Sequence, residues 1–434
     1  IQDVQQFTGR IDHTFSPNLK FSNQTRYAHY ATDARETAPG NVRTAAGTVL
    51  TNGNFTSIPD ASLLTQLASH DRVINDHSIY NDAQLAATFA TGPIKHEVIT
   101  GVEIGHETYS NQTLTRNNLP LLSLTDPSVD ATPANSVTSV GNRVASSANS
   151  IGAYVNDSIS LGRYVKFVGG LRWDRYSAAL NNTIVSARSG PSYLSQTNHF
   201  TSVRTGLIFQ PTDWQSYYVS YGTSFNPSLE ALTVTNYTQN LAPEKNRSYE
   251  VGSKWDLLNG NLAVTSSLFD IEKTNARTQV SSTEYQLDGR VRVQGFQTGV
   301  AGRIGSHWQV FAGYAYLDAK ILDAGDGTQG HTPANTPRNT ATLWTTYSLT
   351  HAWSLGGGMN YMSGRYASNT NYVKVGGYTR YDAMLAYHQH RYDVQLNLLN
   401  LTNKSYYDAL IPSDGGRAVP GAGRTLLATV KYRF

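Results

Sequence analysis

Arg424-Thr-Leu-Leu-Ala-Thr-Val-Lys-Tyr-Arg-Phe434 closes the chain. Leu426, Ala428, Val430, Tyr432 and Phe434 form one set, apolar or aromatic. Thr425, Leu427, Thr429, Lys431 and Arg433 fall between them and, Leu427 apart, are polar. A period of two marks a strand with two unlike faces. Soluble domains seldom end on an exposed Phe. A strand whose apolar face looks at lipid can, because the aromatic then sits at the membrane interface.

The same alternation recurs upstream. In Tyr392-Asp-Val-Gln-Leu-Asn-Leu398, Tyr392, Val394, Leu396 and Leu398 share one face, and Asp393, Gln395 and Asn397 the other. Between Val165 and Arg175, the residues Val165, Phe167, Leu171 and Trp173 face one way and Lys166, Arg172 and Asp174 the other. Charges of this kind are costly against lipid, so the second face belongs to a watery or plugged lumen. An apolar outside with a charged inside separates a membrane barrel from a soluble one.

The composition agrees. The 434 residues are 39% hydrophobic, yet no apolar run is long enough to cross a membrane as a helix. A barrel hides its membrane signal in alternation, so a polar average does not count against it. The 27 Tyr, 6 Trp and 36 Gly suit aromatic girdles and tight turns. Cysteine is absent, which removes disulfides, thiolate metal sites and Cys nucleophiles. A formal charge of +3 gives no electrostatic case for nucleic acid.

Tight turns and long polar connections take turns along the sequence. The turns fall near Ser16-Pro-Asn18, Thr91-Gly-Pro93, Leu161-Gly-Arg163, Pro211-Thr-Asp213, Asn259-Gly-Asn261, Gly305-Ser-His307, Thr350-His-Ala352 and His388-Gln-His390. The long connections fall near 33–73, 113–146, 181–198, 226–245, 278–290, 323–335, 366–373 and 403–423. Short turns at one end and long loops at the other is the pattern of an antiparallel transmembrane β-barrel with periplasmic turns and extracellular loops. The reading gives roughly 17 strands, an odd number where single-chain bacterial barrels have an even one. Residue 1 is Ile and no signal peptide precedes it. These points lead to the expectation that residues 1–434 are part of a barrel of roughly 22 strands, with the first strands and an N-terminal plug absent. The last strand would then lack its neighbour and leave an open seam.

Several stretches resemble the TonB-dependent outer-membrane siderophore receptors, in particular the catecholate-siderophore branch. Asn240-Leu-Ala-Pro-Glu-Lys-Asn-Arg-Ser-Tyr-Glu-Val-Gly-Ser-Lys254 is similar to a family stretch in which an extracellular loop enters a descending strand, and Phe269-Asp-Ile-Glu-Lys-Thr-Asn-Ala-Arg277 to the ascending strand after it. Asn335-Thr-Pro-Arg338 followed by Leu343-Trp-Thr-Thr-Tyr347 resembles a piece of the catecholate receptors. Gly170-Leu-Arg-Trp-Asp174, Leu396-Asn-Leu-Leu-Asn-Leu-Thr-Asn-Lys-Ser-Tyr-Tyr407 and Tyr432-Arg-Phe434 add further matches in the expected order. The pair of motifs that marks haem receptors is matched only in part, by Phe225-Asn-Pro-Ser-Leu229.

The resemblance implies a receptor in the bacterial outer membrane that binds a ferric siderophore at the cell surface and passes it inward when TonB pulls on the plug. It implies no cofactor; the ferric siderophore is cargo. Partners would be the siderophore, TonB through a plug segment, and outer-membrane lipid and lipopolysaccharide, with no nucleic acid. A ferric catecholate is large, aromatic and anionic, so its site should pair cations with aromatic faces. The long loops and nearby strand ends offer Arg116, Arg143, Arg175, Tyr176, Arg188, Tyr193, Tyr237, Tyr361, Arg365, Tyr366, Tyr372, Tyr406, Tyr407 and Arg417.

Other chemistry finds little support. His388 and His390 flank a tight turn without an evident third metal ligand. No G-x-S-x-G elbow is present, and Gly356-Gly-Gly358 is a strand glycine run with no phosphate-loop lysine after it. The chain reads as no enzyme. The alternatives to active uptake are a passive porin-like channel and a surface barrel that only binds.

Overall fold

The computed structural model describes residues 1–50, 58–69, 71–127, 138–182, 193–227, 243–281, 284–411 and 417–433, with backbone alone at 142, 277–281 and 284–288. Among the described residues one antiparallel sheet of 17 strands dominates. In chain order its strands are β1 (Gln2–Ser16), β2 (Leu19–Ala34), β3 (Asp71–Thr91), β4 (Ile94–Arg116), β5 (Thr138–Leu161) and β6 (Val165–Asn182). Next come β7 (Tyr193–Thr212), β8 (Gln215–Asn226), β9 (Glu244–Leu257), β10 (Leu262–Ser281), β11 (Glu284–Ile304) and β12 (Trp308–Asp323). The last are β13 (Asn339–Ser348), β14 (Trp353–Met362), β15 (Tyr378–His388), β16 (Tyr392–Leu399) and β17 (Thr425–Tyr432). Each pairs with the strand before and after it. β1 pairs only with β2 and β17 only with β16, and the two do not pair with each other among the described residues.

Every tight turn read from sequence joins two paired strands. Glycine serves them at Gly92, Gly162, Gly260 and Gly305, all with positive φ that a side chain would strain. The long connections all leave the opposite end of the sheet. One expectation fails there: 278–290 is not a long loop, because β10 and β11 continue as a paired ladder to Ser281 and Glu284. That stretch shows no apolar alternation, and backbone pairing does not require one. Part of the stretch expected as a loop at 33–73 likewise pairs, Thr37–Arg43 with Leu64–Ser69, which also takes up Leu121–Ser123.

Registers turn the alternation into two continuous faces. On the apolar face, Trp308, Tyr347, Leu355, Leu385, Leu396 and Ala428 run across six strands in directly paired positions and all but Ala428 are large exposed hydrophobics. Val394, Leu398, Val430 and Tyr432 share that face, as read from sequence. On the polar face Arg172 reaches both Asp174 of its own strand and Glu103 of β4, at 2.8 Å. Aromatic clusters in the sequence split between the faces: Tyr217, Val219 and Tyr221 lie on the apolar side and Tyr218 on the polar side.

The apolar face also changes along the strand axis. On β6 the order away from the tight turn is Phe167, Leu171, Trp173, Arg175. On β9 it is Trp255, Val251, Tyr249, Arg247, and on β12 it is Val310, Tyr314, Tyr316, Asp318. An apolar band capped by aromatics and then by charge is the profile of a membrane-spanning wall. The strands continue well past the aromatics towards the long-loop end.

Candidate ligand-binding rim and lumen

At the long-loop end, three connections after β12, β14 and β16 are tied into one unit. Its centre is Arg365, 1% exposed. Arg365 lies in a two-residue strand, Arg365–Tyr366, that pairs with Lys374–Val375. Its Nε donates to Asn335 Oδ1 at 2.8 Å, and its Nη2 donates to the carbonyls of Tyr407 and Asp408 at 3.1 and 2.8 Å. Asn335 adopts a left-handed backbone, φ 55°, that Asn tolerates better than most residues. Its backbone N–H donates to the Tyr366 carbonyl, and its Nδ2 reaches the Leu410 carbonyl at 3.4 Å. A planar fork with several fixed donors can hold three loop segments at once in a way that Lys cannot.

Beneath this unit, Tyr406 packs against Tyr378 with ring centroids 4.4 Å apart and planes tilted by 35°. The Tyr406 hydroxyl accepts from Arg380 Nη1 at 3.3 Å, and Arg380 Nη2 donates to Asp382 Oδ2 at 3.0 Å. Asp382 Oδ1 accepts the backbone N–H of Asn400, a residue 1% exposed, so the network runs from the strand into the last loop.

The residues expected at the rim therefore divide. Arg365, Tyr366, Tyr406 and Tyr407 come together in this unit, while Tyr372 stands 90% exposed above it. Arg417 starts the strand Arg417–Pro420, which pairs with Tyr407–Ile411 in the last loop. Arg116 is 6% exposed at the end of β4, where Nε and Nη2 clasp Asp71 at 2.7 and 3.1 Å and Nη2 also reaches the Glu36 carbonyl. Its guanidinium is used to anchor the first loop. Arg143 Nη2 donates to Gln112 Oε1 at 3.0 Å. Tyr176 packs against Ala148 and Ala178 on the polar face. Arg175 and Tyr176 lie within β6, short of its end at Asn182, and point to opposite faces. Arg175, Tyr193 and Tyr361 share the apolar, outward-facing register. Arg188 and Tyr237 lie outside the described residues.

Sequence reading missed the polar face as a source of ligand chemistry. Lys254 Nζ sits 5.6 Å from the Tyr218 ring, and the two line cavities of about 530 and 390 Å3 with Thr265, Ser267 and Gln297 in the first and Arg204 and Ser220 in the second. Arg172 lies 5.6 Å from the Tyr154 ring, and at the rim Lys374 Nζ lies 5.5 Å from Tyr366. Each is a cation beside an aromatic face. The available signal was parity: Tyr218 and Lys254 are even-numbered neighbours in paired strands whose odd positions are apolar.

These aromatics lie flat on the wall because glycine faces them. A Cβ on Gly252 would come within 3 Å of the Tyr218 ring, and one on Gly101 within 3 Å of Tyr154. Gly358 sits under Trp344 in the same way, which is the reason for part of the Gly356–Gly358 run.

Residues 2–401 match the family described as TonB dependent receptor-like, beta-barrel. The chain belongs to the TonB-dependent receptor β-barrel family. Among its relatives is the probable TonB-dependent siderophore receptor PiuA of Acinetobacter baumannii, 28% identical over 470 residues that cover 98% of this chain and 60% of the relative. The catecholate siderophore receptor Fiu of Escherichia coli is 27% identical, covering 98% of this chain and 59% of Fiu. The chain thus spans about 60% of the length of these relatives. The crystal structure of PiuA superposes with a TM-score of 0.88 at 26% identity, covering 99% of this chain and 64% of that one. The closed form of Fiu gives 0.86 at 25%, covering 100% and 64%. As in other TonB-dependent receptors of the bacterial outer membrane, the apolar face is the lipid-facing exterior and the polar face the lumen.

Proposed function

We propose that this wall serves a receptor that takes up ferric siderophores of the catecholate class, driven by TonB acting on a plug segment within the lumen. The observation that carries the reading is the likeness of nearly the whole chain, rim included, to PiuA and Fiu, at TM-scores of 0.88 and 0.86. The chemistry of rim and lumen is consistent with it. Exposed Tyr372 and the Lys374–Tyr366 pair would meet an anionic aromatic ligand first, and Arg417 lies on the strand pair of the last loop. The Arg380–Tyr406 network would hold the rim in shape. Lys254 with Tyr218 and Arg172 with Tyr154 would offer further cation–aromatic stations along the lumen wall. In this reading residues 1–434 belong to the barrel part of the receptor.

The test is growth under iron limitation with a panel of siderophores, comparing cells carrying the complete gene with a deletion. Catecholate-dependent growth that needs both the gene and TonB is the expected result. Growth on small solutes that is independent of TonB would instead support a passive channel.

A further inference from the structure

β2 and β3 carry a histidine pair on the outer face that neither rim nor lumen uses. His29 and His77 occupy directly paired positions, one register step beyond Tyr27 and Ile79 towards the long-loop end. Their rings are parallel to within 10°, with centroids 4.2 Å apart. The Tyr27 hydroxyl lies 3.2 Å from His77 Nδ1. His77 is exposed and His29 half-buried, and neither ring nitrogen of His29 has a hydrogen-bond partner among the described residues. Other histidines of the wall differ. His96 has Nδ1 on Asp157 at 2.7 Å and Nε2 on Thr91 at 2.8 Å, and His388 has Nδ1 on Asp393 at 3.1 Å. Those rings are already engaged within the sheet.

The surroundings favour a cation. Level with the pair stand Gln5 on β1 and Thr108 on β4. One register step to either side, none of the four strands brings a Lys or Arg to this face. Asp3 stands diagonally from His29, within reach of a long side chain or a bridging water. Asp76, next to His77 but on the polar face, acts electrostatically on both imidazoles.

We propose that His29 and His77 together hold a divalent transition-metal ion, Cu(II) more tightly than Ni(II) or Zn(II). Imidazole suits these three ions, and copper leads the general affinity order. Metal–nitrogen bonds of about 2.0 Å require the two ligand nitrogens to approach to about 3 Å, which a tilt of the parallel rings towards each other supplies. Tyr27 is the supporting residue. With the Nδ1 proton of His77 donated to the Tyr27 oxygen, His77 keeps its Nε2 lone pair for the metal. No group of three or more His, Asp or Glu side chains fit to hold a metal occurs among the described residues, so water or a small ligand would complete the shell. The bound ion would staple β2 to β3 below the first long loop, which joins those two strands. The proposal rests on the register of β2 and β3 and not on which ligand the lumen carries.

The test uses the complete receptor, free of any histidine tag, purified in detergent and stripped with EDTA. Cu(II) is titrated in and followed by electron paramagnetic resonance and by thermal unfolding. The wild type should bind copper at micromolar concentration with a two-nitrogen signature, and should unfold at a higher temperature with the metal than without it. H29Q and H77Q should each weaken binding at least about a hundredfold, because a two-point chelate becomes a single contact. Y27F should weaken it about tenfold and keep the two-nitrogen signature. H199Q, on the same outer face, should change nothing. Binding undiminished in H29Q/H77Q would mark an adventitious ion only and overturn the proposal, as would a loss in H199Q as deep as that in H77Q. Copper-dependent dimers that are absent from H29Q/H77Q would overturn it in favour of a site shared between two copies.

Discussion

The Tyr218 hydroxyl donates to Glu250 on the neighbouring strand while the Tyr218 ring covers Gly252. Three residues on two strands thus make one flat tile of the lumen wall. Gly252→Val should push the ring off its seat into the lumen. Overpacking of this kind costs about 1–3 kcal/mol, so the unfolding temperature in detergent should fall. Gly376→Ala, where a Cβ meets nothing within 4 Å, should leave it unchanged.

Arg116 and Asp71 form a buried pair, with side chains 4% and 6% exposed. Removing one partner leaves an uncompensated charge, at a cost of about 3–5 kcal/mol. Arg116→Met should therefore expose the segment around Thr37–Arg43 to limited proteolysis, while the strands stay protected. The double change Arg116→Met with Asp71→Leu should recover much of the protection.

Arg365→Lys keeps the charge but cannot reproduce the fork that reaches Asn335, Tyr407 and Asp408. Carbonyls left without a donor cost about 1–3 kcal/mol each. Faster proteolysis of the last loop is expected, and ligand affinity should drop with it. Affinity lost with no change in proteolysis would mean that Arg365 acts on the ligand directly.

Tyr406→Phe removes the acceptor for Arg380 and keeps the ring packed against Tyr378. A loss of about 1 kcal/mol is expected, and Tyr406→Ala should lose clearly more because the ring contact goes too. Thermal unfolding of the two variants side by side measures the difference.

Lys254→Gln tests the lumen station. If the cation beside Tyr218 contributes about 1.4 kcal/mol to an anionic aromatic ligand, catecholate uptake should weaken roughly tenfold. Fold and unfolding temperature should not move, because Lys254 has no ion-pair partner among the described residues.

The wall was legible in the sequence where lipid imposes alternation. Leu396, Val394 and Val430 could sit only on an outer face, and the registers place them there. Legibility ended above the girdle. Between 278 and 290 the residues show no apolar alternation, so nothing in their pattern separates a paired ladder from a loop. Arginines posed the same difficulty. Arg116, Arg175 and Arg365 look alike in a list of loop and strand-end cations, yet one clasps a carboxylate from another strand, one faces outward and one pins three loops. Those roles depend on Asp71, on strand parity and on Asn335, which are remote in sequence or invisible without register. The Tyr-over-Gly tiles were readable in principle, since ring and glycine occupy matching positions in paired strands, but only once the pairing was known.

The layered exterior also acts as a waterline. If the wall sank by one residue pair, Asp270, Arg247 and Arg175 would move towards hydrocarbon together; if it rose, Leu268, Val251 and Leu171 would meet water. A cation costs up to about 1 kcal/mol near the bilayer interface and more with depth, and several strands would be charged that penalty at once. Draught is therefore set by the protein, and a bilayer of another thickness must deform to meet it. The rim rides at a constant elevation above the lipid whatever membrane surrounds it.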